Sequence, residues 1–336
     1  MMEIKMKKIR NRTMCLVMAV LLLSLSTQGA SAHDGQPPAP HDLASAWNWD
    51  PFLVFSLTLS GWIYAAGMRE LRGRTGGRDG ALHWRAASFA AGLFTLFLAL
   101  ISPLDALATA LFSAHMIQHM LLIVVAPPLL VLGVSPAPFL LAFPQSAQRK
   151  LGKWWHRLGW LKSVWRVLMQ QQVAWALSAL ALWAWHAPRF YQAALENEAL
   201  HMFEHLVFFS TSFFFWWTVT RQSGSSSGDP GILALFTTAL QGGLLGALLI
   251  FAPTALYEAY ASTTQAWGLT PLEDQQLAGA IMWIPMGTVY TLAALILFMV
   301  RLRWIERAAN QREGWTRGET FETIGSPEED KIRSKV

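Results

Sequence analysis

The feature that most constrains this chain is a series of long apolar stretches separated by short charged ones. Seven of them fall at roughly 51–68, 86–101, 112–134, 173–187, 199–219, 232–252 and 277–300. Their apolar residues run without period-two alternation. Each therefore reads as a helix that satisfies its own backbone, as lipid requires, and not as a barrel strand. Several fall short of the roughly 20 residues that a bilayer needs and are expected to extend into their flanks. Only 14% of the 336 residues are charged and 53% are apolar, where a soluble domain carries about 25% charged residues. So much apolar surface exceeds what one soluble core of this length hides. The expected fold class is all-α, a polytopic membrane protein built as a seven-helix transmembrane bundle. The net charge of +5 does not mark a nucleic-acid binder, because the basic residues lie between apolar segments and line no groove. The first expected partner is the lipid bilayer.

The first 32 residues have a different logic. Lys5, Lys7, Lys8, Arg10 and Arg12 precede the run Met14–Leu25, whose 12 residues make about 18 Å of helix, too short to span comfortably. The run is followed by Ala30-Ser31-Ala32, the pattern of a cleaved signal peptide. The only cysteine, Cys15, lies inside it. After cleavage the chain has no thiol, hence no disulfide and no thiolate metal site. The expected organisation is a signal peptide over 1–32, an extracytoplasmic arm over 33–50, a membrane domain over 51–303 and a cytoplasmic tail over 304–336. Outside the spans little is expected to fold, and the tail, with its mixed charges, is expected to be disordered beyond a short helical continuation.

The charges between spans fix an orientation. The loop at 69–85 holds Arg69, Arg72, Arg74, Arg78 and Arg85. The loop at 135–172 holds Arg149, Lys150, Lys153, Arg157, Lys162 and Arg166. Arg221 and then Arg301, Arg303 and Arg307 follow on the same side. The alternate loops, 102–111, 188–198 and 253–276, hold Arg189 and no other Lys or Arg. That asymmetry places the first set in the cytoplasm, the mature N-terminus outside and the C-terminus inside.

With this topology, potential metal ligands collect at the outer membrane level. The third span begins there with His115, Met116, His119 and Met120. Each pair is spaced i, i+4, so each pair shares a helix face. The fourth span ends there at His186, and the fifth begins there with His201, Met202, Glu204 and His205. The seventh begins after Asp274, Gln275 and Gln276 and carries Met282 and Met286. Imidazole and thioether suit copper, Cu(I) above all where thiolate is absent, whereas calcium and magnesium want oxygen. Met282 and Met286 alone fit core packing better than ligation, because Met fills gaps. His186 fits ligation and a hydrogen bond to a helix-end carbonyl equally well. Two histidine pairs at one depth are harder to read as packing, since ionisable groups inside a span are costly. Glu204 lies within the His201/His205 turn and is placed to orient an imidazole. Pro127-Pro128 should kink the third span and free carbonyls near Ile123 and Val124.

Taken in order, HMIQHM followed by PP, then WHAPRFYQAAL, LHMFEH with FWW, and PLEDQQLAGAIMW resemble the CtaG-type cytochrome c oxidase assembly factors, associated with aa3- and caa3-type oxidases. The resemblance spans about 50–303. It implies a multi-pass protein of the bacterial plasma membrane without enzymatic turnover, serving oxidase maturation and commonly thought to concern copper. Its partners would be cytochrome c oxidase subunits or their assembly intermediates. By motif it points to His115, Gln118 and His119, to His186, to His201, Glu204 and His205, and to Asp274, Gln275 and Gln276.

Three alternatives compete with a copper-holding assembly factor. His201-x-x-Glu204-His205 reads as the inverted zincin pattern of an intramembrane metal hydrolase, with Glu204 as general base. Histidines on facing helices are also compatible with axial haem ligation. A copper permease would need polar groups continuing through the membrane, and below His119 and His205 the spans read as almost wholly apolar.

Overall fold

The structure is a computed structural model and describes residues 38–75, 80–134, 141–147, 150, 159–222 and 230–324. The expected signal peptide, His33, His156 and the chain after residue 324 lie outside the described residues. No strand occurs among the described residues. Five helical segments are long and apolar enough to cross a membrane: Pro51–Arg74, Gly80–Leu100, Phe112–Gly133, Pro230–Ile250 and Pro271–Arg307. They mark a membrane protein.

The first two belong to helices α1 (Pro51–Thr75) and α2 (Gly80–Leu100). The third is composite: α4 (Phe112–Met120), a π-turn over Leu121–Val125, and α5 (Ala126–Gly133). Before it comes the short α3 (Pro103–Ala110). After it come α6 (Gly159–Leu168), α7 (Gln171–Trp185), α8 (Pro188–Glu196), α9 (Glu198–Gln222), α10 (Pro230–Ile250) and α11 (Pro271–Ile324). The two remaining stretches expected to span are α7 and α9. With 15 residues, α7 is about 22 Å long, short of a hydrocarbon core of about 30 Å. At 25 residues α9 is long enough, but Glu198, His201, Glu204 and His205 in its first turns make it less apolar.

The composite span is the centre of the bundle. Of its most apolar window 67% is buried, against 17–39% for the other four. One apolar core lies between α4 and helices α7, α9, α10 and α11, around Phe112, Met116, Ile123, Phe208, Phe215 and Met282. A second lies between α5 and helices α1 and α2, around Tyr64, Phe89, Leu122, Ala126 and Leu130. The kink expected at Pro127-Pro128 takes the form of the π-turn. The Ile123 carbonyl faces Pro127 at i+4 and Pro128 at i+5, and neither has an N–H to give it.

The most extensive helix pair is α10 with α11. It is set by two glycines, since a Cβ on Gly246 would stand 2.7 Å from the Gly279 carbonyl and one on Gly279 would stand 2.7 Å from that of Gly246. Small residues at a membrane helix crossing let the backbones touch, and van der Waals packing then holds them.

The loops at the His end of the bundle correct the expectation that little folds outside the spans. Proline at the first helical position starts both α3 and α8, where its fixed φ suits a helix and its missing N–H is not needed. Short 3-10 turns form at Glu258–Tyr260 and Thr264–Trp267. These elements bury Ala108, Ala110, Tyr191, Ala194 and Tyr260 against the bundle end. The arm docks there too: Asn48 donates its side-chain amide to Asp105 at 2.7 Å, and its backbone N–H to the Ile101 carbonyl at 2.9 Å. At the opposite end α11 runs on to Ile324, well into the segment expected to be a polar tail.

Candidate metal centre

The site forms at the loop-covered end, where α9, packed further along on the π-turn and α5, and α4 meet through their histidine side chains. His115 and His119 are one turn apart on α4, His201 and His205 one turn apart on α9, and all four rings meet. Ring centroids are 5.2 Å apart for His115 and His201 and 5.5 Å for His119 and His205. His115 Nε2 lies 2.8 Å from His119 Nε2. Glu204, fully buried, brings Oε1 to 3.7 Å from His119 Nε2. His186, the C-cap of α7, stands beside them with its ring 6.0 Å from that of His119. Of the nine histidines, these five come together, while His41 and His83 are exposed.

Each imidazole is held by the fold. No side chain of its own caps the start of α4. Asp274, from the first turn of α11, does so instead, accepting from Phe112 N–H at 2.7 Å and Ser113 N–H at 3.1 Å. A carboxylate there also meets the positive end of the helix dipole. His186 Nδ1 donates to the Leu182 carbonyl at 2.7 Å, which leaves Nε2 as its free lone pair. Above the rings lie three tyrosines. Tyr260 donates its only proton to the Ala108 carbonyl at 3.1 Å, so its oxygen accepts from the Tyr191 hydroxyl at 2.8 Å and from His115 Nδ1–H at 3.3 Å. Tyr257 donates to the His186 carbonyl at 2.8 Å. Burial pushes the phenols of Tyr191, Tyr257 and Tyr260 above their ordinary range, so all three keep their protons as donors.

What remains is a set of buried atoms without partners: His119 Nδ1, the Nε2 atoms of His186, His201 and His205, and both oxygens of Glu204. Buried polar atoms are normally satisfied, and a cluster of exceptions needs a cause. A cation is a ligand that imidazole nitrogens and a carboxylate can share. The donor set fits one: within 4.8 Å of one another lie His115, His201 and His205, and likewise His115, His119 and Glu204.

The other residues singled out from the sequence lie around this cluster in different ways. Gln118 faces away from it, giving its amide to the Ala99 carbonyl and to Asp105 at 2.8 and 2.7 Å. Gln275 fixes the loop after α10, accepting from Leu256 N–H at 2.6 Å and donating to the Leu249 carbonyl at 3.1 Å. Gln276 and Met202 are exposed, Met202 to 43%. Met116, Met120 and Met282 are buried within the apolar core. The tyrosines were not singled out from the sequence. A signal was there: the chain has five Tyr, and three of them fall in loops on the side where the histidines collect.

One expectation changes with the geometry. Beyond Phe208, which packs 4.7 Å from the His119 ring, the interior is not wholly apolar. A cavity of about 20 Å³ there is lined in part by Ser178, Thr211, Ser212, Thr238, Gln241 and Tyr290, room enough for about one water molecule.

One family model, described as cytochrome c oxidase caa3 assembly factor (Caa3_CtaG), matches residues 62–306. The chain belongs to that family. The Caa3_CtaG match takes in every donor of the candidate centre, the capping Asp274 and the three tyrosines. No curated protein and no solved structure matches the chain.

Proposed function

We propose that this Caa3_CtaG protein serves cytochrome c oxidase assembly by holding copper at the histidine cluster and releasing it to an oxidase subunit or assembly intermediate. The observation that carries this reading is the convergence of four imidazoles and the Glu204 carboxylate with unpartnered buried N and O atoms. Five ionisable side chains in the interior of a membrane protein are costly, and a bound cation offsets that cost. Imidazole suits copper, and a site that loads and unloads needs ligands that bind less tightly than a thiolate cage. His186, with its unpartnered Nε2, is a reserve donor beside the cluster. In this reading α7 and α9 complete seven spans, the tyrosine-covered end faces outside the plasma membrane, and the arginine-rich loops face the cytoplasm.

Copper content of the purified protein tests it. One copper per chain is expected in the wild type, and loss of copper in His115→Ala/His119→Ala. A double variant that keeps its copper removes the ligand assignment. A deletion strain should lose oxidase activity and regain part of it with added copper.

One observation favours a second reading, a metal hydrolase: His115, His201 and His205 form a three-imidazole set with Glu204 beside it, as the inverted zincin pattern asks. Against it, His115, His119 and Glu204 are fully buried beneath three tyrosines, and of the donors only His201 is half-buried. Uncleaved substrate accumulating in the deletion strain would favour this second reading.

A further inference from the structure

The five donors do not form one coordination shell. Two ligands of one ion stand no more than about 4.2 Å apart, twice a metal–nitrogen bond of ~2.1 Å. Donors mutually within 4.8 Å fall into two sets that share His115: a rim set with His201 and His205, and a deep set with His119 and Glu204. The rim set includes half-buried His201, while the deep set is fully buried.

His115 cannot serve both sets at once. Its Nδ1–H is committed to Tyr260, which leaves Nε2 as its one lone pair. A neutral imidazole binds one ion through one nitrogen. We infer that a single ion has two alternative positions in this site, a rim position and a deep position, and passes between them by ligand exchange about His115. The inference rests on the copper reading above.

The exchange balances without redox chemistry, with Glu204 ionised at both positions, its proton having left to solvent when the ion entered the site. Moving inward, the ion loses its bonds to the His201 and His205 nitrogens and gains bonds to His119 Nε2 and a Glu204 oxygen, keeping His115 Nε2 throughout. In the empty site His119 Nε2–H donates to His115 Nε2. As the ion arrives, that proton moves to His119 Nδ1, which has no partner. Charge decides the order of preference. Three neutral imidazoles around Cu(I) leave a net positive complex, whereas two imidazoles and a carboxylate make a neutral one. In a low-dielectric interior the neutral complex is favoured. The deep position is therefore the holding site, and the rim position, with His201 toward solvent, is the point of entry and release.

X-ray absorption on the full-length protein in detergent, loaded anaerobically with Cu(I), separates the positions, because outer-shell scattering counts imidazoles. The wild type is expected to bind one copper with two imidazoles. Glu204→Gln, which keeps the shape of the side chain, should retain copper and show three imidazoles, the ion having moved to the rim. His201→Ala should retain copper with two. His115→Ala, which leaves only two donors in each set, should lose it. Two coppers in the wild type, four or more imidazoles around one, or a Glu204→Gln chain with the wild-type count or with no copper would each overturn the two-position site. A wild type that binds no copper would instead overturn the copper reading itself.

Discussion

Ser212 on α9 donates its hydroxyl to the Ile123 carbonyl at 2.6 Å, and Trp216 Nε1 donates to the same oxygen at 3.3 Å. Pro127 and Pro128 deprive this carbonyl of its helical donors, so α9 supplies what α4 and α5 cannot. The same bond ties the helix of His201 and His205 to the helix of His115 and His119. Ser212→Ala leaves Trp216 as the remaining donor and should cost little. Ser212→Ala with Trp216→Phe orphans the oxygen in an apolar interior, at about 1–3 kcal/mol. The expected result is a double-variant loss of thermal stability in detergent that exceeds the sum of the single losses.

Asp274 caps α4 across 162 residues of sequence. Asp274→Ala removes both acceptors and should destabilise by about 0.5–2 kcal/mol, the usual worth of an N-cap. The loss should appear first as faster amide hydrogen exchange at Phe112 and Ser113. Asp274→Asn keeps one acceptor and should fall between Ala and the wild type.

Glycines at two positions should respond with opposite sign. Gly246→Ala puts a methyl group 2.7 Å from the Gly279 carbonyl and 2.9 Å from Trp283 Cβ. Backbone cannot move aside cheaply, so α10 and α11 separate and the melting temperature falls. Gly73→Ala, in α1 with nothing within 4 Å, should raise stability by roughly 0.5–1 kcal/mol through helix propensity alone.

Asp105 carries a pH signature. Burial raises its carboxyl above the ordinary value of 3.8, against the lowering effect of donors from Asn48 and Gln118. The folded state thus binds this proton more tightly than the unfolded chain does. Its contribution to stability is greatest in acid and is lost as pH rises from 3.8 through the raised value. Thermal melts across that range should show this component in the wild type and lack it in Asp105→Asn. The variant should also release the arm, since its new amide group faces a donor.

Much of the centre was legible in the sequence because i, i+4 spacing is a local property. Once α4 and α9 form, the faces of His115/His119 and His201/His205 are fixed, and the loop charges lead to the expectation that both pairs lie on one side; in the structure the two pairs meet. Spacing cannot tell which way a neighbouring side chain turns across a helix interface. Hence Gln118, one residue from His119, serves Asp105 instead of the centre, and Met202, beside His201, faces outward. Sequence distance hid the tyrosine cover, because Tyr191 and Tyr260 touch only after two loops fold back over the bundle end.

By itself, then, the sequence determined an all-helical membrane protein with histidine pairs at one level, because hydropathy and helical period act along the chain. The tertiary structure decided that α4 lies at the centre, that Asp274 caps it, and that one shared imidazole divides the donors into two sets. Those are relations between segments far apart in sequence, 162 residues in the case of Phe112 and Asp274, and packing geometry, which no local pattern encodes, settles them.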